Sequence, residues 1–168
     1  MTPGFTGAAI ENLVNTAITE AVHNGKEEAS PEDFEFARDR IMMGIERKKL
    51  SMAEKDRLNT SIHEAGHTVA GYFTEHCNNI YKATIVSRGQ SLGATFFEPS
   101  ESQELGESKD TVLAFIDAAM GGHCAEELFI GADQITQGCG SDLERATSLA
   151  YRACEQFGMF GEVVGYNS

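Results

Sequence analysis

The stretch Ser61-Ile62-His63-Glu64-Ala65-Gly66-His67-Thr68-Val69-Ala70 decides how this chain is read. Within it, His63 to His67 spells the pattern H-E-x-x-H. On a helix, residues four apart project from one face, so the two imidazoles can converge on one metal ion. Ile62, Val69, Ala70 and Phe73 give such a helix an apolar side to bury. Glu64 follows the first imidazole, and its carboxylate can reach the water position of a four-coordinate zinc site. There it would act as general base while the water attacks a carbonyl. The pattern points to zinc-dependent peptide-bond hydrolysis.

Two histidines need a third protein ligand. The sequence after His67 lacks the extension that would supply a third histidine from the same segment, and His76 is too far along. His123, Glu126, Glu127 and Asp142 remain as candidates. Asp142 opens an expected last helix after a glycine-bearing loop, from which a carboxylate can project. Ser141 or Asp142 could equally serve to cap that helix.

Outward from the motif, Ser51 with Glu54 reads as a capping box opening the histidine-bearing helix, which should run towards Thr74. Upstream, Ile10, Leu13, Val14, Ala17, Ile18 and Ala21 form one stripe ending near Gly25. Ser30-Pro31-Glu32-Asp33 then starts a second helix with the stripe Phe34, Ala37 and Ile41. Downstream, Tyr81–Ser87 and Leu92–Glu98 are rich in β-formers, with Arg88-Gly89-Gln90 as a turn and Pro99–Ser108 as an exposed acidic loop. Val112, Phe115, Ile116, Ala119, Met120 and His123 mark a helix to about Phe129. Gly131–Ser141 reads as an irregular loop. Leu143, Ala146, Leu149, Ala150, Ala153 and Phe157 mark a last helix stopped by Gly158. The expected fold class is mainly α with a small β-sheet. Residues 1–49 form a helical piece with a basic linker, and residues 50–168 form the metal-bearing domain.

The net charge of −13 falls unevenly: residues 1–60 carry 11 acidic against 8 basic groups, and residues 61–168 carry 15 against 5. So acidic a second part argues against nucleic acid as a partner, because phosphates need Lys and Arg to neutralise them. No apolar run approaches membrane-spanning length. Cys77, Cys124, Cys139 and Cys154 form no CxxC pair and read as reduced, mostly buried thiols. The sequence begins as if in mid-domain, so it reads as a piece of a longer protein.

At this level of detail the chain resembles the FtsH-type ATP-dependent zinc metalloproteases, the membrane-anchored AAA protease family. The resemblance runs along the whole chain. Thr2-Pro3-Gly4-Phe5-Thr6-Gly7-Ala8 is similar to the start of the AAA helical lid, and Ile41-Met42-Met43-Gly44 to its exit. His63–His67, Lys82-Ala83-Thr84-Ile85, Arg88-Gly89, Leu92-Gly93, Gly121-Gly122 through Leu128, and Gly138 through Asp142 fall at family positions of the peptidase. Parts of the sheet and late helix resemble the mitochondrial inner-membrane, i-AAA-like type.

The resemblance implies a helical zinc metallopeptidase domain preceded by a partial AAA helical lid. It implies zinc held by His63, His67 and Asp142, with Glu64 as the catalytic base and Glu126 supporting the ligands. It implies an edge strand at Leu92, Gly93, Ala94, Thr95, Phe96 and Phe97 that binds polypeptide substrates by strand addition. ATP and Mg2+ would act only in an AAA module outside this sequence, since no G-x-x-x-x-G-K-S/T loop occurs here. A homo-hexamer or a ring with paralogues is implied, as is attachment to a mitochondrial, other organellar or bacterial membrane through segments absent from this chain. The chain departs from the family at Gln137, Cys139 and Gly140, where small or hydroxyl residues are usual, and at His123, where arginine is usual. Cys139 would lie near the metal, as a neutral buried thiol or a redox-sensitive one. A catalytically silent scaffold of the same architecture is the alternative, and a stand-alone zinc hydrolase of small amides a third reading.

Overall fold

The computed structural model describes residues 2, 4–46, 52–87, 92–98 and 106–161. These are mainly helical with a two-stranded antiparallel sheet, and they divide into two compact units. One contains residues 1–50 with 86–92, and the other residues 51–85 with 93–168.

In the first unit, helix α1 (Gly7–His23) packs on α2 (Pro31–Met43). Thr6 caps α1 by accepting the Ala9 N–H. The helix ends where Gly25, at φ +71°, lets the N–H groups of Gly25 and Lys26 return to Val22 and Ala21. Ser30 starts α2: its N–H and its hydroxyl each donate to Asp33 Oδ2 at 2.8 Å, and Lys26 Nζ lies 2.9 Å from both Asp33 oxygens. The core is Leu13, Ala17 and Ala37, with Phe5 and Ile41 against it. Only half of the α1 stripe is buried: Ile10, Val14 and Ile18 stay exposed, because one partner helix covers only one flank. Phe34 is likewise at the surface.

The second unit is built on α3 (Glu54–Phe73) crossing α4 (Lys109–Phe129), with α5 (Gly140–Glu155) against α4 and the strands β1 (Ile80–Thr84) and β2 (Ala94–Phe97) against α3. The first residue of α3 is Glu54 with Ala53 at the cap and no side-chain cap bond; the expected capping residue Ser51 lies outside the described residues. Glu54 and Asp56 place negative charge in the first turn.

The buried face of α4 differs from the expected stripe. Val112 is buried, but the rest of the buried face is Ala114, Ala118, Gly121, Gly122, Ala125 and Glu126. Small residues win because α3 comes so close: a Cβ on Gly66 would strike the Gly121 carbonyl, and one on Gly121 would strike that of Gly66. Phe115, Ile116, Ala119, Met120 and His123 are only partly buried beside this contact.

The strands are shorter than expected. Pairing runs Thr84↔Ala94, Ala83↔Thr95 and Lys82↔Phe96, then slips at a bulge to Ile80↔Phe97. The ladder stops at Thr84 and Ala94. The expected turn at Arg88–Gln90 and most of the loop after Pro99 fall outside the described residues. The glycine-bearing segment before α5 holds two short 3-10 turns, Ala132–Gln134 and Gln137–Cys139. All four thiols are free, but only Cys139 is buried; Cys77 is half-buried, and Cys124 and Cys154 are exposed.

Candidate metal centre

Three side chains from two helices meet at one point. His63 Nε2 lies 3.0 Å from His67 Nε2, and Asp142 Oδ2 lies 3.2 Å and 3.3 Å from these two nitrogens. Tetrahedral zinc with ligands at about 2.0–2.1 Å would space them about 3.3 Å apart, so the three atoms stand as one face of such a site.

The other ring nitrogens explain why this triangle suits a cation. His63 Nδ1 faces Glu126 Oε1 at 2.7 Å, and His67 Nδ1 faces the Ala118 carbonyl at 2.8 Å. Both partners are acceptors, so both Nδ1 atoms carry the proton and donate it. In the neutral rings each Nε2 is then a lone pair, and these two lone pairs converge with a carboxylate oxygen. Three acceptors at this spacing need a metal ion or extra protons between them. Accordingly, Asp142 raises the pKa of His63, outweighing the burial that opposes it. His67 is also raised: burial works against its charge, but Asp142 and the Ala118 carbonyl outweigh it. Burial would raise Asp142, yet the two imidazoles hold it well below the usual carboxylate range, so it remains an anion.

Each of these three side chains has an identifiable support. Gly122 makes room for the rings, since a Cβ there would lie 2.6 Å from both His63 Cε1 and His67 Nε2. Asp142 is the third residue of α5, whose N-terminal cap is Cys139; neither Ser141 nor Asp142 caps that helix by a side-chain bond. Glu126 is 2% exposed and accepts three donors: His63, the Thr136 N–H at 2.7 Å and the Thr136 hydroxyl at 3.2 Å. Burial would raise its pKa, but the Thr136 N–H, the Cys139 thiol and His63 together lower it.

Cys139 Sγ lies 3.8 Å from His63 Nδ1, and these atoms with a Glu126 oxygen form a second group within metal-ligand reach. They do not make a second site. Burial first, then the Glu126 carboxylate, pushes the Cys139 thiol up to about 12, and His63 Nδ1 is already committed as a donor. Cys139 is therefore a neutral buried thiol.

Glu64 is 8% exposed on the next position of α3, and burial raises its pKa against the Thr95 hydroxyl and the imidazoles, which lower it. Thr95 Oγ1 donates to Glu64 Oε2 at 2.7 Å. Of the other sequence candidates, Glu127 is exposed, and His76 pairs loosely with Glu75 at the surface. His123 stands outside the cluster, and its buried Nδ1 has no hydrogen-bond partner among the described residues. From the expected substrate strand, Gly93 packs against Glu64, Ala94–Phe97 form β2, and Leu92 groups with the first unit. Thr136, Ala118, Gly122 and the hydroxyl of Thr95 were missed in the sequence. Only the Gly121-Gly122 pair carried a signal there, as two glycines inside a helical pattern.

Comparison with known proteins places the chain among families. Residues 50–168 match the model of peptidase family M41, and residues 1–36 match that of the AAA+ lid domain. The chain is 43% identical over 162 residues to the ATP-dependent zinc metalloprotease FtsH of Aquifex aeolicus, covering 96% of this chain and 25% of that protein. It is 45% identical over 164 residues to the ATP-dependent zinc metalloprotease FTSH 11, chloroplastic/mitochondrial, of Arabidopsis thaliana, covering 98% and 20%. It is 42% identical over 162 residues to the mitochondrial inner membrane i-AAA protease supercomplex subunit YME1 of Saccharomyces cerevisiae, covering 96% and 22%. The chain thus spans a fifth to a quarter of the length of these relatives. By the match over residues 50–168, more than half of its length, the chain belongs to peptidase family M41.

Proposed function

We propose that this chain is the zinc-dependent endopeptidase module of a membrane-anchored, ATP-dependent AAA protease that hydrolyses unfolded or membrane polypeptides. The observation that carries this reading is the convergence of two Nε2 lone pairs and Asp142 Oδ2 within 3.3 Å, with both Nδ1 protons committed elsewhere. His63, His67 and Asp142 would hold zinc. Bound there, zinc supplies Lewis acidity, polarising a carbonyl and acidifying water near neutral pH.

The remaining chemistry belongs to the chain. Glu64 accepts the water's proton and can pass it to the leaving amine, and its burial favours a base strong enough for that exchange. Glu126 and the Ala118 carbonyl keep the two imidazoles in the tautomer that ligation needs. Among the described residues β2 pairs only with β1. An extended peptide would add along Leu92–Phe97, using backbone bonds that tolerate many side chains.

Residues 1–49 would be the end of an AAA helical lid with its linker, and residues 50–168 the peptidase domain. The ATP and Mg2+ chemistry, ring assembly (homo-hexamer or with paralogues) and membrane attachment are assigned to the longer protein. No described helix is long and apolar enough to cross a membrane. A mitochondrial inner-membrane protein of the i-AAA type, or a bacterial or other organellar counterpart, fits the names of the relatives.

The test is a pair of variants. Glu64→Gln should abolish degradation of an unfolded protein while zinc stays bound. Asp142→Asn should lower zinc content by elemental analysis. Persistent turnover in the first variant would remove Glu64 from the mechanism, and unchanged metal in the second would move the third ligand elsewhere.

A further inference from the structure

Strand β2 contacts α3 through alternate residues. A Cβ on Gly93 would lie 2.7 Å from Thr60 Cγ2 and 2.9 Å from both Glu64 Cγ and Glu64 Oε1. Thr95 meets Glu64 through its hydroxyl. Phe97 fills the space over Gly71, where a Cβ would lie 2.5 Å from the Phe97 ring. Residues 93, 95 and 97 thus share the face turned to the helix, as the two-residue period of a strand demands. Gly71 and Phe97 anchor the strand at one end, and the absent side chain of Gly93 lets it close over Glu64 at the other.

The carboxylate beneath is nearly enclosed, and Thr95 is the one side chain among the described residues that hydrogen-bonds it. Thr95 Oγ1 lies 2.7 Å from Oε2 but 3.2 Å from the Glu64 backbone oxygen, so its single proton goes to the carboxylate. The terminal torsion of a glutamate is broad, and an untethered carboxylate samples many orientations. A β-branched hydroxyl is stiff at χ1, which makes it a fixed post for such a group.

We infer that Thr95 is a positioning residue: its hydroxyl holds Glu64 Oε2, fixing the carboxylate plane so that Oε1 is the oxygen that takes the proton in hydrolysis. This rests on the proposed role of Glu64 and gives β2 a second task besides lining a substrate path. A hydroxyl serves here because it neither competes for a metal as a carboxylate or imidazole would nor adds charge beside the ligands. Proton transfer depends on such alignment, and groups that orient a reactive residue change turnover rather than substrate affinity.

Thr95→Val keeps the branched shape and the strand backbone but removes the donor. It should lower kcat on an unfolded protein substrate by about 10–100-fold, with KM and zinc content unchanged. Thr95→Ser, which returns the hydroxyl, should recover most of the loss. Wild-type kcat in the valine variant, a loss confined to KM, or failure of serine to rescue would overturn the assignment. Crystal structures of the zinc-loaded wild type and Thr95→Val provide a readout independent of turnover: the Glu64 carboxylate should swing away in the variant, and an unmoved carboxylate would overturn the assignment. Should valine prevent folding, Thr95→Ala carries the same comparison. Full activity in Glu64→Gln would instead refute the role of Glu64 itself, a result distinguishable from an unmoved carboxylate in the structures.

Discussion

Glu126 joins His63 to the segment that delivers Asp142. Its Oε1 accepts the His63 Nδ1 proton at 2.7 Å, and its Oε2 accepts the Thr136 N–H at 2.7 Å, six residues before Asp142. One buried carboxylate on α4 therefore ties His63 on α3 to the approach of Asp142 on α5. This coupling makes Glu126 more than a partner for one imidazole.

Replacing Glu126 by Gln should consequently weaken one end of this link or the other. The two carboxylate oxygens face separate N–H donors, His63 Nδ1 and the Thr136 backbone, and an amide has only one oxygen, so its NH2 group would face one of them. We expect zinc affinity to fall by about 10–100-fold, as for other partners of metal-bound histidines. Competition against a chelator of known affinity measures it, and an affinity equal to wild type would deny the coupling.

Gly122→Ala separates the demands of the helix from those of the candidate metal site. Alanine favours a helix by about 1 kcal/mol over glycine, so α4 itself should gain. The new methyl would lie 2.6 Å from His67 Nε2, and neither ring can turn aside without losing its Nδ1 bond. The expected result is a chain of unchanged helical content, by circular dichroism, that no longer retains zinc. Retained stoichiometric zinc would mean that the rings can shift.

Acid should loosen the first unit through Asp33. The Ser30 N–H, followed by Lys26, holds the Asp33 pKa below its ordinary value in the folded state. A carboxylate lowered on folding contributes stability that is complete above its unfolded pKa, near ~3.9, and is lost as pH falls through the lower folded value. Thermal unfolding followed at helix wavelengths should therefore be insensitive to this group near neutrality and weaken below about pH 4. Asp33→Asn should flatten that acid limb, and an identical acid limb in the variant would assign it to other carboxylates.

Much of this was legible because local patterns obey fixed periods. Four-residue spacing brings His63 and His67 to one face of any helix, and Ser30-Pro31 starts α2 by local chemistry alone. The positions from Gly138 to Asp142 matched a known family spelling, but residue types alone left His123, Glu126, Glu127 and Asp142 open as third ligands. Bringing Asp142 to Nε2 atoms 75 and 79 positions upstream takes the packing of α5 on α4 and of α4 on α3, which no spacing encodes.

The sequence by itself determined the chemical kind of this protein: a helix with two imidazoles and a neighbouring carboxylate, in a mainly α chain. Only the tertiary structure decided the protonation pattern and the neighbours that impose it. The small face of α4 admits α3 at backbone contact, and that closeness puts the Ala118 carbonyl and Glu126 within hydrogen-bond reach of the rings. The same holds for the Thr95 hydroxyl over Glu64, where a strand and a helix remote in sequence meet. Periodicity records which way a side chain points, whereas its reactivity depends on groups that only long-range packing brings near.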